Sequence, residues 1–303
     1  MEVKKLHDNY RPHGREPVRM KLTGHIAEIM WCEKRNHTMY IRKIDDNHYI
    51  DLREEPDPET GEVILHEFCR SENRSENKSG VARSLSRLRD LINTNVVEVD
   101  NARWITLTYA ENMTDTKKLY DDFKNFNKRM RYKLGEKYEY IVAAEPQGRG
   151  AWHMHMLMLF SHKAPFIPNS ELAEIWGHGF VTVKKLDSVD NVGAYLTAYL
   201  GDMELSEARA SGLHGTYEVK EVMVQGEDVP KRYVKGGRLH LYPPKFNLYR
   251  FSRGIKKPVV EVMSNEMAEK KVSAGTLTFE KTLKIVNGDF ESHLNYRYYK
   301  DVL

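Results

Sequence analysis

Two histidines separated by a single residue, His153 and His155, carry the clearest chemical signal in the 303-residue sequence. Residues 151–160 alternate with a period of two, which predicts a β-strand with both imidazoles on one face. Glu145 ends a second predicted strand, and a turn centred on Arg149 would form an antiparallel hairpin with Glu145 opposite His153. Two neutral imidazoles and a carboxylate at one point can bind a divalent metal ion.

A histidine on a strand more often has a structural role than a metal-binding role, so the pair alone leaves both interpretations open. The opposing Glu145 favours the metal site. A histidine-triad hydrolase would need a third histidine two residues further on, where the chain has Leu157. We therefore set that class aside and predict that His153, His155 and Glu145 are metal ligands.

A helix predicted downstream carries two tyrosines one turn apart, Tyr195 and Tyr199. The aliphatic residues of this helix form a stripe rotated by about 100° from the tyrosines, so the helix can pack on a sheet while both phenols face the metal. A phenol has an ordinary pKa of about 10 and needs a nearby cation to attack a phosphodiester at neutral pH. Both tyrosines can also be core aromatics, but the histidine pair upstream favours catalysis.

These motifs occur in the order that is typical of the HUH endonucleases. A Thr-Leu-Thr strand at residues 106–108 comes first, then the histidine strand, then the tyrosine helix. Over roughly residues 101–203 the chain resembles this superfamily, and it looks most like the rolling-circle replication initiators of bacterial plasmids, phages and integrative elements. Many single-tyrosine initiators carry a lysine three residues after the tyrosine. Here that position is Ala198, so the subfamily stays open.

The resemblance implies a ferredoxin-like HUH fold, Mg²⁺ or Mn²⁺ as the cofactor, and DNA nicking through a 5′-phosphotyrosine intermediate formed by Tyr195 or Tyr199. It also implies a single-stranded or hairpin origin DNA as substrate, with a helicase and a polymerase of the host as partners. An HUH relaxase or transposase is the alternative within the class, although relaxases more often carry the tyrosine ahead of the histidines. A non-enzymatic nucleic-acid-binding protein with structural histidines is the alternative outside it.

A basic and aromatic stretch runs from Lys231 to Lys257, with nine Lys or Arg residues, five aromatic residues and no acidic residue. Basic side chains follow a phosphate backbone and aromatic rings stack on unpaired bases, so the stretch predicts binding of single-stranded DNA. A strand pair with a solvated basic face and a packed aromatic face is the other interpretation. The predicted DNA-binding residues are Arg149, Lys231, Arg232, Arg238, Lys245, Arg250, Arg253, Lys256 and Lys257.

The composition is that of a globular protein, with 40% hydrophobic and 30% charged residues and a net charge of +3. No apolar run approaches the roughly 20 residues of a membrane-spanning helix. Cys32 and Cys69 are too few for a disulfide framework or a thiolate zinc site. We therefore expect an intracellular protein without membrane association, and the resemblance implies the cytoplasm of a bacterium.

The predicted order of elements after residue 100 is strand, helix, strand, strand, helix, strand, helix. This order indicates an α+β fold, an antiparallel sheet with helices mostly on one face. We predict an N-terminal extension at residues 1–100, a catalytic core at 101–203 and a DNA-binding region at 204–303.

Overall fold

The structure is a computed structural model of the chain. It describes residues 2–6, 10–34, 41–43, 48–56, 63–69, 78–148, 150–186, 192–213, 217–222, 230–243, 246–287 and 290–302. The β-strands of this part of the chain are β1 (Glu2–Lys5), β2 (Pro17–Thr23), β3 (Ile26–Cys32), β4 (Ile41–Lys43), β5 (His48–Pro56), β6 (Val63–Cys69), β7 (Ala102–Thr108), β8 (Glu139–Pro146), β9 (Trp152–Leu159), β10 (Val181–Lys185), β11 (Met203–Glu204), β12 (Val219–Val222), β13 (Lys231–Val234), β14 (Tyr249–Phe251), β15 (Val259–Ser264), β16 (Thr276–Asn287) and β17 (Phe290–Lys300).

The α-helices of the described residues pack against these sheets or connect their strands. They are α1 (Lys78–Asn95), α2 (Thr116–Leu134), α3 (Asn169–Trp176), α4 (Val192–Gly201), α5 (Leu205–Ala210) and α6 (Asn265–Lys271). Within the same described ranges, no helix combines the length and apolar character that crossing a membrane requires.

A five-stranded sheet with the order β10-β7-β9-β8-β14 forms the centre of the fold, and every neighbouring pair in it is antiparallel. The predicted α+β class with antiparallel sheets is confirmed. β9 occupies the middle position of this sheet. Both of its faces are largely apolar because other elements cover the sheet on each side.

The face of β9 opposite the histidines packs against α2 and α3. Met154, Met156 and Met158 are fully buried there, and they belong to one apolar cluster with Phe126 of α2 and Trp176 of α3. Flexible methionine side chains fill the irregular gaps between aromatic rings well. This cluster is the largest of the apolar clusters in the described residues.

The histidine face of the sheet is covered by α1 and α4. Leu88 and Ile92 of α1 and Val192 of α4 form one buried cluster with Ile141 and Leu157 of the sheet. The tyrosine helix therefore lies on the same side of the sheet as the two histidines.

Helix α2 spans Thr116–Leu134, and both of its ends are set by local signals. The Asp115 side chain accepts hydrogen bonds from the backbone N–H groups of Lys117 and Lys118, and such N-caps typically stabilise a helix by about 1 kcal/mol. Gly135 follows the last turn with a φ of 66°, a left-handed conformation that ends helices and that glycine adopts without strain.

The two ends of the chain form one six-stranded sheet with the order β1-β16-β17-β3-β2-β15. In addition, β14 joins the central sheet and α1 packs on α4. The segments before residue 101 and after residue 203 are therefore interleaved with the segment between them. Their division into three domains stays a prediction. Shorter sheets, β11-β13-β12 and β4-β5-β6, complete the described part.

Ion pairs attach the six-stranded sheet to α1. Lys21 Nζ lies 2.8 Å from a carboxylate oxygen of Asp90, and Arg89 donates to Glu28 at 2.8 Å. These four side chains are largely shielded from solvent, so screening by salt weakens their attraction less than it would on an open surface. The terminal sheet thus supports the helix on which α4 rests.

Candidate active site

The hairpin of β8 and β9 has the register that the sequence indicates, with Glu145 opposite His153. β7 lies on the other side of β9 and places Thr106 opposite His155. Gly150 has a φ of 84° and donates its N–H to the Gln147 carbonyl at 2.8 Å, which closes the turn. Side chains of three neighbouring strands therefore meet on one face of the sheet. Arg149 itself lies outside the described residues.

The ring of His155 is held from three sides. Its Nδ1 lies 3.2 Å from the Thr106 hydroxyl. Its Nε2 contacts one carboxylate oxygen of Glu145. The Trp104 indole stacks on the imidazole at a centroid distance of 5.3 Å and an interplanar angle of 10°. These contacts fix the ring orientation and direct Nε2 towards the carboxylate.

Glu145 is buried, with 8% of its surface exposed, yet it remains ionised. Burial by itself raises the pKa of this carboxyl group, but the hydrogen bond with His155 and the electrostatic effect of the neighbouring His155, Arg238 and His153 outweigh it. The net pKa therefore lies below its ordinary value. A carboxylate in this state is available as a hard oxygen ligand.

His153 lies beside Glu145 on the same face. Its Nδ1 is 3.4 Å from the side-chain amide of Gln147, and its Nε2 is buried. Which ring nitrogen carries the proton depends on the tautomer and on the orientation of the amide. The two histidines and Glu145 thus occupy one small, enclosed region.

Arg238 does not have the position that was predicted for a DNA contact. Its side chain is only 11% exposed, and Nε lies 3.0 Å from the second carboxylate oxygen of Glu145. Its Nη1 and Nη2 donate to both oxygens of Glu207, at 3.0 and 2.6 Å. Glu207 in turn accepts the backbone N–H of Gly148 in the hairpin turn at 2.6 Å. Arg238 is therefore an internal ion-pair partner, because two acidic groups on separate elements surround it.

A metal site requires ligand lone pairs that face a common point. In the conformation shown, the described residues contain no group of three or more His, Cys, Asp or Glu side chains that could hold an ion. The oxygens of Glu145 contact His155 and Arg238 instead. The chemistry of the donors nevertheless fits a divalent cation, since metal binding displaces protons shared by such imidazole and carboxylate groups. His153, His155 and Glu145 stay predicted ligands.

The tyrosine helix α4 reaches the histidine region through its apolar residues. Leu200 lines the same small apolar cavity as His155, Ala143 and Leu157. The side chains of Tyr195 and Tyr199 lie outside the described residues, although the backbone of both is helical. Their roles as nucleophiles stay predictions.

Five of the predicted DNA-binding residues are exposed, and four of them follow one another closely in the chain: Arg250, Arg253, Lys256 and Lys257. Arg250 lies on β14, and its guanidinium carbon is 3.4 Å from the centre of the Tyr120 ring. A cation above an aromatic face keeps its outer N–H groups available to a phosphate.

The other basic residues of that prediction differ from these four. Lys231 is half-buried, and Arg232 is exposed but forms an ion pair with Glu221 at 2.9 Å. Lys245 lies outside the described residues. Of the predicted residues that the structure describes, Arg250, Arg253, Lys256 and Lys257 therefore form the exposed basic stretch that stays a predicted DNA contact.

The aromatic residues of the same stretch divide between core and surface. Tyr242 is 1% exposed, and Phe246 packs on Trp152 at a centroid distance of 5.0 Å. Those two rings cannot stack on DNA bases, so for them the interpretation as packed aromatics holds. Phe251 is 40% exposed and stacks on Tyr249 at 6.3 Å, so part of its ring remains open to solvent.

Sequence reasoning missed several residues that shape this region. Thr106 belongs to the Thr-Leu-Thr strand, and the pairing of β7 with β9 accounts for its contact with His155. Trp104 lies two residues earlier on the same face of β7, so the pairing of β7 with β9 also accounts for its contact with His155. No sequence signal could have identified Glu207 and Tyr242, because nothing local distinguishes them from other acidic or aromatic residues.

The motif-bearing segment matches a known family. Residues 102–204 fit a family model that describes a replication-associated protein. The matched segment starts with β7 and includes the histidine strand and α4, so it contains all three motifs of the sequence analysis. No curated protein and no solved structure matched the chain. The match supports a role in DNA replication for this segment.

Replacing Arg250 and Arg253 with glutamine should weaken binding of single-stranded DNA and flatten its dependence on salt. Each lost phosphate contact lowers the slope of log K against log salt by about one. Fluorescence anisotropy with a labelled oligonucleotide at several salt concentrations measures this slope.

The matched control replaces Arg15 and Lys270 with glutamine. Both are exposed: Arg15 precedes β2, and Lys270 lies on α6, which packs on the six-stranded sheet and not on β14. This control removes the same charge and should leave the slope unchanged. Equal slopes for both double variants and the native chain would mean that the residues between 250 and 257 only face water.

Proposed function

We propose that this protein is a site-specific endonuclease and strand transferase of the HUH type that nicks single-stranded origin DNA and starts rolling-circle replication. The match of residues 102–204 to a family of replication-associated proteins supports the role in replication. The observation that carries the proposal is the convergence of Glu145, His153 and His155 on the face of the sheet that α4 covers.

The divalent ion, Mg²⁺ or Mn²⁺, would be held by His153, His155 and Glu145, and when bound it neutralises charge on the scissile phosphate and polarises the P–O bond. Residues of the protein itself orient the proposed ligands and set their charge. Thr106 and Trp104 hold the His155 ring so that Nε2 faces the site. The hydrogen bond with His155 and the charge of Arg238 help to keep Glu145 ionised.

The phenol oxygen of Tyr195 or Tyr199 attacks the phosphorus. A tyrosyl O–P bond forms and the bond from phosphorus to the 3′ oxygen breaks, which leaves the 5′ end of the DNA on the tyrosine and a free 3′-hydroxyl. The phenol loses one proton and the departing 3′ oxygen gains one, so the step is balanced. Because the new phosphodiester retains the bond energy, the reverse reaction can rejoin DNA without ATP.

Two tyrosines one turn apart allow successive transfers. One can stay linked to the first DNA end while the other attacks the regenerated origin at the end of a replication round. This arrangement favours an initiator over a relaxase or transposase within the same superfamily. Exposed Phe251 lies opposite Ile141 on the histidine face of the sheet, and exposed Arg253 follows it, so both would hold the strand beside the site. Arg250 lies over Tyr120 of α2 on the other face and would contact the strand further along.

A non-enzymatic DNA-binding protein is the second candidate. The ion pair between Arg238 and Glu145 favours it, since a carboxylate that is already neutralised by arginine can have a purely structural role. In that case the His155 contact would serve only to satisfy a buried acid.

The decisive experiment incubates the protein and Mn²⁺ with labelled single-stranded oligonucleotides, including hairpins, and then separates the products under denaturing conditions. We expect a labelled band that migrates with the protein and disappears when EDTA replaces Mn²⁺. DNA binding without such an adduct, across a library of oligonucleotides, would favour the non-enzymatic alternative.

A further inference from the structure

The last carbonyl groups of α4 are bound by residues that follow almost forty positions later. The final carbonyls of a helix have no partner within it. The Tyr242 hydroxyl lies 3.0 Å from the Leu200 carbonyl, and the backbone N–H of Arg238 donates to Gly201 at 3.0 Å. The Arg238 Nε donates to the carbonyl of Asp202 at 2.8 Å. Two residues therefore cap the end of the tyrosine helix.

The same two side chains also bind β8 on both sides of Glu145. The Tyr242 hydroxyl lies 3.0 Å from the Ala144 carbonyl, and Arg238 Nη1 donates to the Pro146 carbonyl at 2.9 Å. Burial raises the pKa of Tyr242 far above its ordinary value, so its hydroxyl stays protonated and its single hydrogen is shared between two carbonyls. The helix end and the strand that carries Glu145 are thus joined through common donors.

The other end of α4 is held separately. The Asn93 Oδ1 accepts the backbone N–H of Gly193 at 2.8 Å in a buried position. A Cβ atom at Gly193 would overlap the carbonyl oxygen of Arg89, so α4 touches α1 backbone to backbone there. With Gly193 fixed in this way, the helix can change its distance from β8 mainly by tilting about its N-terminus, and such a tilt moves the backbone at both tyrosine positions together with the last turn.

We propose that Arg238 and Tyr242 are positioning residues that set the distance between the last turn of α4 and Glu145. The inference rests on the proposed function, in which that distance determines where the tyrosine nucleophile stands relative to the bound phosphate. Reacting atoms must approach to about 3–3.5 Å, and a misplacement of about 1 Å can lower a rate by about 100-fold. The segment 238–242 thereby belongs to the catalytic apparatus and not to the DNA-contacting surface.

The test replaces Tyr242 with phenylalanine, which keeps the ring and removes only the hydroxyl. Tyr138→Phe is the matched control: Tyr138 is 2% exposed, and its hydroxyl donates to Asn127 Oδ1 on α2 at 2.8 Å. Both variants lose the hydrogen bonding of one buried phenol, but of the two only Tyr242 contacts α4. Each variant is assayed for the single-turnover rate of adduct formation at saturating Mn²⁺ and oligonucleotide, for Mn²⁺ affinity, and for hydrogen exchange of the peptide 192–203.

We expect Tyr242→Phe to slow adduct formation by about 10-fold or more while Mn²⁺ affinity stays within about twofold of the native value, because only the nucleophile is displaced. Exchange in the peptide 192–203 should become faster in this variant. Tyr138→Phe should change neither the rate nor that peptide. Equal rates and equal exchange in the two variants would overturn the proposal.

The two hypotheses fail in different ways. If the native protein forms no adduct, the proposed function falls, and hydrogen exchange still decides whether Tyr242 anchors the helix. Faster exchange confined to the peptide 192–203 in Tyr242→Phe supports the anchor, and unchanged exchange refutes it. If the native protein forms the adduct and Tyr242→Phe does so at the native rate, the function stands and the positioning role falls.

Discussion

Alanine in place of His153 or His155 is expected to abolish DNA cleavage while folding and DNA binding stay largely intact. Each change removes one imidazole ligand of the proposed ion and leaves the exposed basic surface on and after β14 untouched. Glu145→Ala should weaken Mn²⁺ binding by about 10–100-fold or more, because it removes the hard oxygen donor. Isothermal titration with Mn²⁺ and a cleavage assay on the same preparations measure both effects.

The control for these variants is His162→Ala. His162 lies in the loop after β9, and its side chain is 55% exposed beside Glu136. The His162→Ala variant should bind Mn²⁺ and cleave DNA as the native chain does. Unchanged Mn²⁺ affinity in all three site variants would refute the metal site, and the histidines would then have a structural role.

Tyr195→Phe should eliminate the covalent adduct in a single-turnover assay. The change keeps the aromatic ring but removes the oxygen that attacks phosphorus. Tyr195 occupies the position that single-tyrosine relatives use, so we expect it to make the first nick. Denaturing electrophoresis of the reaction with labelled oligonucleotide detects the adduct.

Tyr199→Phe serves as the partner variant, since it lies one turn away on the same helix. It should permit the first adduct and impair the second strand transfer. Mass spectrometry of the trapped peptide identifies the modified residue. Phosphotyrosine found at Tyr199 alone would reverse the two roles, and a normal adduct in the double phenylalanine variant would refute tyrosine chemistry altogether.

The agreement between sequence and structure is closest where short-range patterns govern the conformation. The period of two at residues 151–160 and the glycine-containing turn before it determine the register that places Glu145 opposite His153. The apolar stripe of α2, its Asp115 cap and Gly135 likewise define both ends of that helix. In these elements local rules leave few alternatives, so position, face and pairing follow from neighbouring residues.

Charge patterns were less informative, because a run of basic residues does not show which of them pair with buried acids. Arg238 belongs to the same acid-free stretch as Arg253, yet it lies inside the protein between Glu145 and Glu207. Its acidic partners come from other parts of the chain, 93 and 31 positions away, and only folding brings them together. Exposure, and with it the difference between a DNA contact and an internal ion pair, depends on that long-range packing.

The sequence alone was enough to indicate the class of fold, the histidine face, the tyrosine helix and the chemistry that such groups can perform. The folded chain was needed to show that α1 and α4 cover the histidine face, and that both termini share one sheet. It was also needed to show that Tyr242 bridges Leu200 and Ala144, which lie 42 and 98 positions before it. The physical reason is that strand period and turn chemistry act over a few residues, whereas capping of a helix end by a distant hydroxyl requires contacts that no local pattern encodes.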